Sequence, residues 1–165
     1  MSDSVWVLRE EDLKLVEAEL VKLNALANAK ITFLVDKDGH LVASAGDSRN
    51  LDTESLASLT AGNIAATGGI AKILGEKEFT FLFHEGERDN IHLSVILQKI
   101  ILVVIFDQRS SLGLVRLRVR KSGDALAQIF TAILSNKDKG IPSGSDAGRS
   151  PFAAITESDI DKLFS

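Results

Sequence analysis

The stretch "KIILVVIF" at residues 99–106 places seven apolar residues in a row, rich in Ile and Val. A strand wet on one face alternates polar with apolar positions, and this run does not. It is about a third of the length needed to cross a membrane. It therefore predicts a central strand covered on both faces, which requires helices on both sides of a sheet.

The rest of the chain supplies those layers. Residues 10–27 space Leu13, Val16, Leu20, Leu23 and Ala27 at three- and four-residue steps, which predicts an amphipathic helix. In "KITFLVDKDGHLVASAG" (30–46), two β-type runs flank an Asp-Gly turn, a strong hairpin signal. Asp52 or Thr53 caps a helix reaching Leu74, with Gly75 as its stop. The runs 79–86, 90–96 and 99–106 are joined by short polar connections, so they read as an antiparallel meander. Residues 111–134 carry both strand and helix periodicity. Their length and helical second half favour one long helix. The expected fold is α+β, in the order α-β-β-α-β-β-β-α. Its five-stranded antiparallel sheet carries the central helix on one face and the two terminal helices on the other.

The domain is expected over 8–136. Residues 137–151, rich in Gly, Ser, Asp and Lys, read as a flexible linker. After it, 152–165 ("FAAITESDIDKLFS") reads as an amphipathic tail helix. Thr156 and Asp159 stand at capping-box spacing before Ile160, Leu163 and Phe164. Such a tail either binds something or packs back on its own domain.

The chain has 165 residues, no cysteine and a net charge of −4. Thiolate metal sites and disulfides are excluded, and nothing suggests a nucleic-acid partner. The N-terminus has no signal- or transit-peptide pattern, so a soluble, cytoplasmic protein without membrane insertion is expected. No dinucleotide fingerprint, phosphate-binding loop or nucleophile elbow occurs. His84 and His92 lie on neighbouring expected strands, close enough in register to face one another, and read as structural histidines. Neither a metal nor a cofactor nor a catalytic constellation is expected. Arg116 and Arg120 share a helix face. They form either a solvated surface paired with acidic residues of the tail (Glu157, Asp159, Asp161) or a docking patch for an acidic partner.

The central helix raises a sharper question, because "NIAATGGIAKILG" (63–75) spends helix stability on adjacent glycines. On a helical wheel, Leu56, Leu59, Asn63, Ala66, Ile70, Ile73 and Leu74 form one stripe, which is expected to face the sheet. Ser58, Ala61, Gly62, Ala65, Gly68 and Gly69 form a second, bare arc. That arc allows either close packing of another helix, within the fold or across a dimer, or a flat shelf for a larger partner.

The element order, with "ITFLVDKDGHLVASAG", "DTESLASLTAGNIAATGGIAKILG" and "VVIFDQRSSLGLVRLRV", resembles the Roadblock domain family over about residues 8–135. "SLTAGNIAATGG", "FDQRSSLGLVRLR" and the tail look most like its MglB-type members, bacterial regulators of the Ras-like polarity GTPase MglA. The resemblance implies a homodimer in which the third strands pair and the central helices lie side by side. It implies one GTPase per homodimer, whose hydrolysis is accelerated by repositioning its own catalytic residues, without an arginine finger. The contact residues carried over are Ala61, Ala65, Gly68, Gly69 and Lys72. Arg116 and Arg120 would be a secondary docking patch, and Phe152, Ile155, Ile160, Leu163 and Phe164 the tail anchors. Action in bacterial polarity and motility, at a cell pole, is implied in the same way. The alternative is a Roadblock scaffold that holds a GTPase without changing its turnover. A small-ligand sensor is more distant, as the sequence offers no sign of a deep pocket.

Overall fold

A computed structural model describes residues 8–140, with side chains to residue 135. The tail anchors Phe152, Ile155, Ile160, Leu163 and Phe164, and all of the expected linker beyond 140, lie outside the described residues. The chain divides into two compact units, Met1–Ile129 and Phe130–Ser165.

The elements run α1 (Glu10–Leu26), β1 (Ile31–Asp36), β2 (Leu41–Gly46), α2 (Thr53–Leu74), β3 (Phe81–Glu85), β4 (Asn90–Ile96), β5 (Ile100–Phe106) and α3 (Leu112–Gly140). The strands form one antiparallel sheet in the order β2-β1-β5-β4-β3. Every residue of β1 and β5 is buried, which accounts for the unbroken apolar run from 100 to 106. α3 continues through residues 137–140, the first four of the expected linker.

Alternation sorts the sheet into two faces. Phe33, Leu93, Ile101 and Val103 pack with Ala57 and Ala61 of α2 on one face. On the other, the Thr32 hydroxyl donates to Asn24 of α1 at 2.9 Å. There too the Arg116 guanidinium of α3 lies 4.5 Å from the centre of the Phe81 ring. Among the described residues the central helix thus has one face to itself, and α1 shares the other with the first part of α3. The segment with two periodicities is helical, burying Val115, Val119 and Leu126 and exposing Arg116 and Arg120.

Local chemistry fixes the joints. Asp36 Oδ1 accepts from the backbone N–H groups of Asp38 and His40 at 2.9 and 3.0 Å, closing the β1–β2 turn. Gly39 adopts φ 94° there. The Asp52 carboxylate accepts from the Ser55 N–H at 3.1 Å, capping α2. At the other end Gly75 turns left-handed at φ 82°, while the Glu76 N–H donates to Ala71.

Candidate functional site

The orientation of α2 overturns the helical-wheel assignment. The side facing the sheet is Ala57, Thr60, Ala61 and Ala71, all buried, with Ile64 packed beside them. Most of the expected core stripe is instead outward: Leu59 is 71% exposed and Ile73 85%, and Ala66, Ile70 and Leu74 are also exposed, while Leu56 packs against the core as expected and Asn63 is half-buried. The physical reason lies in the sheet, whose face beneath the helix is filled by Ile31, Phe33, Val35, Ile101 and Val103. Those side chains occupy the space between the layers, so only alanines fit under the helix axis.

The carried-over contact residues do not share one environment. Ala61 belongs to the core at 7% exposure, whereas Ala65, Gly69 and Lys72 are exposed and Gly68 is half-buried. A Cβ placed at Gly62, Gly68 or Gly69 would meet nothing within 4 Å. The bareness of that arc is therefore not required by packing among the described residues.

On the α2 side of the sheet, the Asn63 amide donates to His84 Nε2 at 3.0 Å. Further along α2 lies a cavity of about 60 Å³. Ile64, Thr67 and Gly68 line it from α2, and Leu82, Leu93 and Val95 from the sheet. The exposed Lys37 and Lys77 and the half-buried Glu78 also border it, so its rim carries both signs of charge. Sequence reasoning missed both the outward stripe and this cavity. Their signal was present in the runs of Ala and Gly, which allow a helix to sit low on a sheet.

The histidines do not face one another. His84 pairs with Ile91, and His92 with Phe83, which sends the two side chains to opposite faces. His92 is 2% exposed and stacks on Phe81 with ring centres 5.0 Å apart. Burial first, and then the charge of Arg116, lowers its pKa to about 4.

Arg116 and Arg120 sit on α3, across the sheet from α2, so they do not join Ala65, Gly69 and Lys72 in one site. Asp36, Asp38 and His40 bring three potential ligand atoms within 4.8 Å of one another. The Asp36 oxygens are, however, already engaged with the turn's N–H groups and with His40 Nδ1 at 3.3 Å. No helix among the described residues is long and apolar enough to cross a membrane.

A single helix on one face of a five-stranded antiparallel sheet, with two on the other, accords with the family comparison. The Roadblock/LC7 domain model matches residues 15–106, more than half of the chain. The chain belongs to the Roadblock/LC7 family. This Roadblock domain is similar to Myxococcus xanthus MglB, at 52% identity over 77% of this chain and 96% of that one, with a TM-score of 0.73. It is similar to the gliding protein MglB of Thermus thermophilus, at 31% identity over 74% and 93%, with a TM-score of 0.71. A further MglB structure, described as having a tetrameric arrangement, is 30% identical over 74% and 93%, with a TM-score of 0.70. No curated protein matches the chain.

Proposed function

We propose that this chain is a homodimeric activator of GTP hydrolysis by an MglA-type Ras-like GTPase, acting in bacterial polarity and motility control. The observation that carries this reading is the outward aliphatic stripe of α2 beside the edge strand β3, in a chain 52% identical to an MglB. Leu or Ile stabilises a complex by roughly 1.5–3 kcal/mol when fully buried, so Leu59, Ile70 and Ile73 are costly to leave in water. An edge strand likewise offers unpaired backbone groups to a partner strand. A second copy meets both needs, with β3 pairing to β3 and α2 lying beside α2.

The exposed arc of Ala65, Gly69 and Lys72, with Gly68 at its border, then remains for one GTPase per homodimer. Ala61 acts from inside, keeping the helix low. The position of Arg116 and Arg120 behind the sheet supports activation by rearranging the GTPase's own residues and not by an inserted arginine. These two arginines and the tail anchors (Phe152, Ile155, Ile160, Leu163 and Phe164) would make secondary contacts that tune binding or nucleotide exchange.

Phosphate release from a GTP-loaded MglA-type GTPase, with and without this protein, tests the reading. Acceleration that saturates with protein concentration is expected. Binding without acceleration would identify a scaffold, and no binding would end the GTPase reading altogether.

A further inference from the structure

We infer that Arg116 forms an ion pair with Glu85 of the partner subunit, on the side of the β3 seam turned away from α2. The inference rests on the homodimer proposed above and adds a contact that sets how its two copies join.

Alternation divides β3 between the two faces of the sheet. Leu82 pairs with Leu93 of the α2 core and so faces α2, while Phe81, Phe83 and Glu85 face the other way. On that side Phe83 stacks with Phe106, ring centres 6.1 Å apart, and Phe81 stacks with His92. Phe81 and Phe83 are only half-buried and Glu85 is exposed. Among the described residues nothing pairs with the outer edge of this strand. The Arg116 guanidinium stands 4.5 Å from the centre of the Phe81 ring, so α3 carries a cation to the edge of the sheet. Arg9, Arg49 and Arg109 each hold an aspartate close by in sequence. Arg116 and Glu85, by contrast, have no ion pair among the described residues.

Symmetry brings these two together. A two-fold axis normal to the sheet sets β3 against β3 antiparallel and keeps both α2 helices on one face. Under it each residue pairs with one that faces the same side. With the axis at Phe83, the middle of the strand, the partner's Glu85 falls opposite Phe81. With the axis moved one residue either way, the partner's Glu85 falls two residues from Phe81, a diagonal separation of roughly 7–8 Å. In all three registers the carboxylate arrives on the face that Arg116 covers and beside the same ring. The arriving strand also shields Phe81 from water, which strengthens the hold of the ring on the guanidinium. The axis repeats the pair, so each seam has two. Arg116 then acts on the GTPase only through the dimer, and Arg120, one turn on and exposed, is left for direct secondary contact.

Charge reversal in the full chain tests the pair. The variants are Arg116→Glu, Glu85→Arg and the two combined, with dimer dissociation followed by sedimentation equilibrium. Both positions are exposed, so all three are expected to keep the circular dichroism of the wild type. Each single variant sets like charges together twice across the seam and should weaken the dimer about tenfold. The combined variant exchanges the two charges and should recover most of that loss. Single variants that dimerise as tightly as the wild type would overturn the pair. So would a combined variant as weak as Arg116→Glu alone. That result would confine Arg116 to holding Phe81 in its own chain or to the acidic residues of the tail, neither of which Glu85→Arg can rescue. A wild type that stays monomeric would instead defeat the dimer on which the pair depends.

Discussion

At the scale of single residues, His92 couples folding to pH. Burial, with a smaller contribution from Arg116, brings its pKa from 6.5 to about 4 in the folded chain. Between those values the unfolded chain takes up a proton that the native imidazole refuses. Its contribution to stability is therefore complete above pH 6.5 and is lost as pH falls towards 4. The slope is that of one proton, at most about 1.4 kcal/mol per pH unit. His92→Phe keeps an aromatic ring against Phe81 and removes the titration. Urea unfolding at pH 7 and pH 5 should show a smaller acid loss in the variant than in the wild type. Two glycines make the complementary case. Gly46 has φ 101°, and a Cβ there would lie 2.8 Å from Ile31 Cα and closer still to the Lys30 carbonyl. Gly46→Ala should cost about 2 kcal/mol or more, because strain in the left-handed region adds to the clash. Gly62 is open to solvent within α2, and Gly62→Ala should stabilise by roughly 0.5–1 kcal/mol. Equilibrium denaturation of both variants checks the contrast.

At the scale of elements, α2 shows where a sequence is readable and where it is not. Its ends were legible, since Asp52 caps one and Gly75 closes the other by short-range chemistry that any reader of the chain can follow. β5 was legible for a similar reason: unbroken Ile and Val between turns admit little except a strand covered twice. The rotation of α2 was not. Apolar size points Leu59, Ile70 and Ile73 inward, but the width of the gap beneath a helix is decided by the opposing layer, which lies far away in sequence. The histidine register failed for a related reason: one residue of offset between β3 and β4 sends a side chain to the other face. The corrected rotation separates neighbours on the helix. Ala61→Arg forces a charge against Phe33 and Val103 and should leave the domain unfolded by circular dichroism. Ala65→Arg, one turn on, should fold and dimerise normally yet fail to bind the GTPase in a pull-down. A folded Ala61→Arg protein would contradict the rotation of the helix.

At the scale of the whole molecule, an apolar helix stripe and a sheet edge are left uncovered among the described residues. If a second copy covers them, folding and association are linked, and the melting temperature should rise with protein concentration. Ile73→Glu places a charge on the most exposed residue of the stripe. It should give a monomer by light scattering whose melting temperature no longer depends on concentration. The sheet order carries a different consequence, one of time. β1–β2 is a hairpin and β3–β4–β5 a meander, so each half can zip from a nearby turn. The seam between them joins Ile31 to Ile105 and Asp36 to Ile100, with all of α2 in the intervening loop. That seam is the most distant pairing in the sheet and is wholly buried. Closing so long a loop is the slow, entropically opposed event in building this architecture. The halves on either side of the α2–β3 connection are thus natural fragments: each carries one flank of the central ladder, and each presents the strand that the other lacks.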